Sequence, residues 1–567
     1  MDDRLARLES ELTDTRRLVR ELEQRVGALE AGERPAEGTA GELLVAGPAV
    51  AAGLAGTAAV IPLLGRTLLV FGGAYLLRAV TDSGLLPQAG GVLAGLGYAL
   101  LWLVLADRAA AAGHRLSASF HGAASVAIAF PILWETVTRF RLLPVAAATA
   151  AVGAVALAAL AVAFRRRLAA VAWLAALGGA TAALAMMRGG ESAWVPAALL
   201  ILLGVAVLWL AYARRWPALP WLSAAAADLG VVVLAAGTLA GRHAVPVGLV
   251  VGIQLALFLA YLGSAALRSL VQHRPLGAFE AAQAAVALVV GYGGAVRVSQ
   301  AGGLSVGWLG AAGILLALAA YAAAFSPALR ASRRQSFFFF TTLALVLVLV
   351  ASRLVVPPGG MAPGWALLAV ACAALSWRFA RVTLNLHSAV YLAAAAVASG
   401  LLATGRSAFL ASAAEDWSRP GSGQAAVLAA ILACLALPVA RISAQWGWAA
   451  RLPGLLVILL AVWGGGGALI SLLAPAVARG PAGGFDAGAL AALRTVALAG
   501  AAVLLAWLAR RERWREAGWL VTPLLVVCGA KLLLEDFPRG RPLTLFVALV
   551  AVGAALIAAS RLARRSG

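Results

Sequence analysis

Acid, cysteine and lysine are all scarce in these 567 residues. Charged residues make up only 12% of the chain and apolar residues 63%, against roughly 25% and 45–50% in a soluble domain. Too few charges exist to coat a water-exposed surface, which excludes an ordinary soluble protein. Cys372, Cys434 and Cys528 stand far apart inside apolar runs, without CxxC or Cys/His spacing. Neither a disulfide framework nor a zinc site is expected, and no other metal or cofactor is implied. The chain also lacks HExxH, a P-loop, GxSxG and a complete GxGxxG; Gly91, Gly95 and Gly97 fall inside an apolar helix. No signal peptide is expected, because the N-terminus is charged throughout where an apolar core would be needed.

What the chain has is length in apolar blocks. Runs of about 20 hydrophobic residues, the length that crosses a bilayer core, alternate with short Arg-bearing gaps. The pattern predicts an all-α polytopic membrane bundle of 18 spans within residues 61–560. The spans are placed at 61–80, 85–106, 117–138, 142–164, 168–187, 194–213, 221–241, 245–267, 279–297, 305–327, 336–354, 363–380, 384–404, 423–440, 452–474, 489–509, 518–534 and 542–560. Trp102, Trp134, Trp194, Trp308, Trp365 and Trp519 fall at or near span ends, as interface anchors do.

Basic residues outnumber acidic ones 45 to 24, a formal net charge of +21. In a soluble chain that excess would point to nucleic acid. Here the excess lies in alternate gaps: Arg165–Arg167, Arg214 and Arg215, Arg330, Arg333 and Arg334, Arg510, Arg511, Arg513 and Arg515, and the basic tail 561–567. The positive-inside rule makes that side cytoplasmic. The charge is therefore a topology signal; the lipid bilayer is the expected partner and nucleic acid is not.

Residues 1–30 place Leu5, Leu8, Leu12, Thr15, Val19, Leu22, Val26 and Leu29 at alternating steps of three and four. This heptad pattern predicts a cytoplasmic coiled coil, and with it self-association or a helical partner, although an amphipathic helix docked on its own membrane domain has the same pattern. Residues 31–42 have linker composition. Residues 43–60 are apolar enough to span, but a nineteenth span would put the charged arm outside a cell whose inner side already holds the C-terminus. They are read as interfacial or re-entrant, with both termini cytoplasmic.

Ionisable groups at span ends are the candidate site residues, since charges in lipid cost several kcal/mol unless paired or watered. Arg78 and Asp82, Glu135 and Arg139, and Lys531 and Glu535 are opposite charges four residues apart, hence on one helix face, with Asp536 directly after the last pair. Lys531 is the chain's one lysine. All three pairs fall at outer helix C-termini, where a cation is favoured; Asp82 and Glu535 put the acid last, so helix stability does not explain them. Simple neutralisation at the boundary is one reading. The other is an outward-facing polar pocket where helices one, three and seventeen converge. In it Lys531 and Arg78 would bind an anion, and Asp82, Glu135 or Asp536 would accept a proton or cation. Asp228, Glu280 and Gln283 belong to an inner gate or to helix-to-helix hydrogen bonding. Asn385 and His387 read as boundary residues, Glu415 and Asp416 as solvated.

Three stretches, GRTLLVFGGAYLLRAVTDSG at 65–84, AIAFPILWETVTRF at 127–140 and KLLLEDF at 531–537, resemble the bacterial family of multipass membrane proteins called domain of unknown function 2339. Lys531 and Asp536 match its closing Lys and Asp, and Arg78 and Asp82 sit in its opening motif; the linker is shorter and Glu535 is an added acid. The resemblance implies a bacterial cytoplasmic membrane and no assigned activity. Three readings of function follow: transport or flipping of a small or lipid-linked envelope molecule, a membrane transferase acting on lipid-linked sugars, and a non-catalytic scaffold assembled through residues 1–30.

Overall fold

The computed structural model describes residue 70 and residues 72–564, apart from 71, 188–191, 215, 217, 327–333, 380–381, 413–418, 438–450, 480–484 and 512–513. The expected coiled coil 1–30, the linker 31–42, the segment 43–60, the start of the first span, Glu415 and Asp416, and the end of the basic tail lie outside the described residues. The chain divides between Gly73 and Ala74 into two compact units, and apart from residues 72 and 73 everything below belongs to the second.

Helix dominates. Helix α1 covers residues 72–82, followed by α2 (Gln88–Ala111), α3 (Arg115–Thr138), α4 (Val145–Arg166), α5 (Ala169–Met186), α6 (Trp194–Arg214), α7 (Leu219–Leu239), α8 (Val247–Val271), α9 (Ala278–Ala301) and α10 (Gly307–Phe325). The chain continues through α11 (Arg334–Val355), α12 (Pro358–Phe379), α13 (Val382–Ala398), α14 (Leu401–Leu410), α15 (Ser422–Ala436), α16 (Leu452–Val477), α17 (Ala487–Ala509), α18 (Ala517–Arg539) and α19 (Pro542–Arg564). Among the described residues the sole β feature is an isolated bridge between Arg479 and Phe485. Among the described residues fifteen helices are long and apolar enough to cross a membrane. The architecture is that of a multipass helical membrane protein.

The reason lies in what covers the helices. Their inward faces are mainly Ala, Gly, Val and Leu, small enough for close backbone approach. The outward faces leave Leu202, Leu315, Leu367, Leu432 and Val526 exposed. Each such side chain would gain about 1.5–3 kcal/mol on leaving water, so a surface of this kind suits lipid. Proline sets several entries: Pro87, Pro144 and Pro246 stand just before α2, α4 and α8 with φ near −60°.

Ion pairs tie together helix ends that alternation puts on one face. Arg165 and Arg166, at the end of α4, reach Asp107 near the end of α2 at 2.6 and 2.7 Å. Arg268 near the end of α8 reaches Glu280 at the start of α9 at 3.4 Å.

One expected span is not continuous. The apolar run placed at 384–404 forms α13 and α14, which meet at 66°. Gly400 at the junction has φ +75°, the left-handed region that a Cβ disfavours. Beyond the break α14 crosses α16 backbone to backbone: a Cβ on Gly467 would run into the Cα of Gly405. His387, expected at a boundary, is instead buried; its Nδ1 lies 3.0 Å from the Tyr321 hydroxyl, which is itself 3.3 Å from that of Tyr391.

Candidate functional site

The structure ties the predicted site residues into two ion networks, one between α1 and the end of α3 and one around α18. Helix α3 packs on α2, α4 and α5, whereas the segment carrying Glu535 and Asp536 packs on α17 and α19.

In the first network the partners cross between helices. Arg78 Nη2 lies 3.0 Å from Glu135 Oε1, and Arg139 Nη2 lies 3.3 Å from Asp82 Oδ1. The within-helix pair Arg78–Asp82 is longer, at 3.9 Å. Between Glu135 and Arg139 the backbone bonds as helix, with the Arg139 N–H donating to the Glu135 carbonyl, while both side chains turn to α1. Arg78, Asp82 and Arg139 are all more than a third exposed, so the network is a clasp at the surface. Exposed pairs of this kind contribute little, about 0–1 kcal/mol each.

The second network is buried, and its local cause is a wide turn. Within α18, residues Leu532–Asp536 form a π turn. Pro538 follows, and a proline can neither donate to the carbonyl four residues back nor fit against it. The extra residue puts Asp536, five positions after Lys531, on the lysine's side of the helix. Lys531 Nζ donates to the Ala491 carbonyl and Thr495 Oγ1, each at 2.8 Å, and to Asp536 Oδ2 at 3.0 Å. Its ion pair with Glu535 is longer, 3.3 Å. Thr495 Oγ1 donates in turn to Asp536 Oδ2 at 2.8 Å.

Arg494, in α17, is a site residue that does not lie at a span end. It is 2% exposed and joins three elements. Nη1 meets Glu535 Oε1 at 2.7 Å, Nε donates to the Ala408 carbonyl at 2.7 Å, and Nη2 donates to the Ala411 carbonyl at 2.6 Å. Ala408 and Ala411 close α14, where carbonyls have no partner within the helix and the dipole is negative. The guanidinium therefore caps the broken helix. The sequence signal was an Arg inside an otherwise apolar span, some 10 Å from its start at 1.5 Å per residue.

The chemistry of this second network differs from the expectation in one respect. Lys531 has three N–H donors and three close acceptors, so it offers nothing to an anion; Arg78 pairs with Glu135 but keeps part of its guanidinium exposed. The atom with spare capacity is an acceptor, Asp536 Oδ1, which is buried and has no hydrogen-bond partner among the described residues. Buried polar atoms are rarely left so. Lys531, Arg494, Glu535 and Asp536 balance in charge, and the open position suits a donor: a hydroxyl, an amine, a proton or a water.

Elsewhere, Gln283 Nε2 lies 3.0 Å from each Asp228 carboxylate oxygen, the helix-to-helix hydrogen bonding expected there. Among the described residues no cluster of three or more His, Cys, Asp or Glu could hold a metal ion. No protein-family model matches the chain, and no curated protein or solved structure matches it.

Proposed function

We propose that the chain is an 18-span bacterial inner-membrane protein with both termini cytoplasmic, which transports or flips a small or lipid-linked envelope molecule. Under this topology the Arg494–Glu535–Lys531–Asp536 network sits in the outer part of the bundle. Residues 1–30 form the cytoplasmic coiled coil through which copies or a helical partner assemble. The resemblance to the family called domain of unknown function 2339 belongs to the same proposal.

One observation carries the reading: a buried arginine holds the end of a broken helix and at the same time binds an acid of another helix. Discontinuous helices whose ends face charged groups are how transporters form binding sites within the membrane, because irregular backbone there must line a cavity or be held by protein. Release of Glu535 would untie Arg494 from α18 and let the guanidinium shift with the end of α14 it caps about Gly400, coupling the occupancy of the acidic pair to access. A transferase needs no such hinge.

Cys528 provides the test. It is fully buried and three residues before Lys531. With Cys372 and Cys434 replaced by Ala, it is the chain's remaining thiol, to be labelled with a membrane-impermeant methanethiosulfonate in right-side-out and inside-out vesicles. Transport expects reaction from both faces. Reaction from the outer face alone would replace transport with one-sided chemistry, and reaction from neither would leave the scaffold reading.

A further inference from the structure

A second buried carboxylate lies well away from the span ends. Asp228 is nine residues into α7, about 14 Å from its start at 1.5 Å per residue, close to the middle of a hydrocarbon layer of about 30 Å. It is 9% exposed, and its partner is neutral: the Gln283 amide, shared between both oxygens. Among the described residues no Arg, Lys or His forms an ion pair with it. Glu280, one turn from Gln283 on α9, provides the contrast. It pairs with Arg268 at 3.4 Å and accepts the Gly277 N–H at 2.7 Å.

An oxygen atom without a partner accompanies the acid. Helix α8, which packs on α7, presents Tyr261 and Arg268 at a step of seven, hence on one face. Among the described residues the Tyr261 hydroxyl is buried and has no hydrogen-bond partner. The hydroxyl occupies the space left by the missing side chain of Gly204, next to the backbone of Ser223 and to Ala227, the residue before Asp228. Helices α8 and α9 each contain a π turn, Leu267–Val271 and Leu288–Gly293, a distortion frequent at functional sites.

We propose that Asp228 is a binding site for a monovalent cation, a proton or a sodium ion, where α7, α8 and α9 meet. An ionised carboxylate at this depth needs one positive charge, and none of the described residues pairs with it. A single carboxylate matches a single charge, and hydroxyl and amide oxygens are ligands of hard cations, not of soft metals. The site does not depend on the transport reading, since its occupancy is a property of the resting protein.

The other titratable groups on α7 and its neighbours are few. Helix α5 brings none, α6 brings Tyr212 and Arg214, α8 brings Tyr261 and Arg268, and α9 brings Glu280, Tyr292 and Arg297. Glu280 is thus the one other carboxyl and the necessary control.

The experiment follows the thermal unfolding of the purified full chain by tryptophan fluorescence, across the neutral pH range, in Na+ and in choline at constant ionic strength. A proton site expects a midpoint that falls as pH rises; a sodium site expects one that rises with Na+ and not with choline. Asp228→Asn, of the same shape and neutral, abolishes any sodium effect and makes the fall with pH shallower than in the wild type, and Glu280→Gln leaves both as in the wild type. Should Asp228→Asn not fold, Tyr261→Phe carries the test: losing one oxygen partner shifts the half-effective cation concentration about threefold to tenfold. No dependence in the wild type, or parallel curves for wild type and the folded variant, would overturn the site.

Discussion

Arg494 and Glu535 meet at 2.7 Å across two helices while the same guanidinium holds the carbonyls of Ala408 and Ala411. Arg494 is almost wholly buried, so its removal leaves two helix-end carbonyls unsatisfied and Glu535 with only its longer pairs to Lys531 and Arg539. Breaking one partner of a buried pair costs about 3–5 kcal/mol. Arg494→Met is expected to lower the unfolding free energy by about that much, whereas Arg494→Met with Glu535→Gln recovers a substantial part, because no lone charge then remains. Arg494→Lys falls between, since an ammonium cannot span the three acceptors as a planar fork does. Denaturation in detergent micelles measures all three, and equal losses for the single and double variants would refute the coupling.

The crossing of α14 over α16 depends on two residues having no side chain. A Cβ on Gly467 would strike the Cα of Gly405, and backbone cannot rotate away as a side-chain tip can. Gly467→Ala is therefore expected to destabilise by about 1–3 kcal/mol, the range for overpacking. Gly500→Ala, in α17 with open space around its α-carbon, is expected to be neutral or slightly stabilising, since Ala is the better helix former. Thermal midpoints of the two variants separate close packing from glycine's flexibility.

These two predictions also mark what the sequence could and could not disclose. Helix position follows from hydrophobic length, a property of contiguous residues, and so the described long apolar helices lie close to expected spans. The break at Gly400 was hidden because an apolar run reads alike whether straight or bent at 66°. The partners were hidden for a related reason. Spacing of four places Arg139 beside Glu135, but a neighbouring helix offers Asp82 at 3.3 Å, and only packing decides between them. Lys531 and Asp536 were legible as rare charges; their contact needed the π turn at Leu532–Asp536, which charge spacing does not disclose. Arg494 was visible in the sequence but lies away from a span end.

The surface clasp is expected to behave unlike the buried network. Arg78 and Glu135 are 3.0 Å apart, yet the arginine is 44% exposed. A double-mutant cycle with Arg78→Gln and Glu135→Gln should give a coupling of about 0.2–1 kcal/mol that fades in high salt, while the Arg494–Glu535 cycle should exceed it and resist salt. A coupling as large and as salt-resistant as that of Arg494 would mean that the clasp is shielded by lipid or by a partner.

Glu516, just before α18, gives the pH dependence. It is buried near Arg451, and burial pushes its carboxyl above the ordinary carboxylate range, outweighing the attraction of the arginine. A group whose pKa is higher folded than unfolded binds more protons in the native state, so its contribution to stability is greatest in acid and is lost as pH rises through the folded value. At neutral pH the native protein therefore bears the cost of an ionised, partly desolvated carboxylate. Glu516→Gln keeps the shape and removes the charge, and is expected to raise the unfolding midpoint at neutral pH while leaving it nearly unchanged in mild acid. Titrating wild type and variant side by side checks the sign: a variant less stable than wild type at neutral pH would show that the Arg451 attraction, and not burial, dominates at this position.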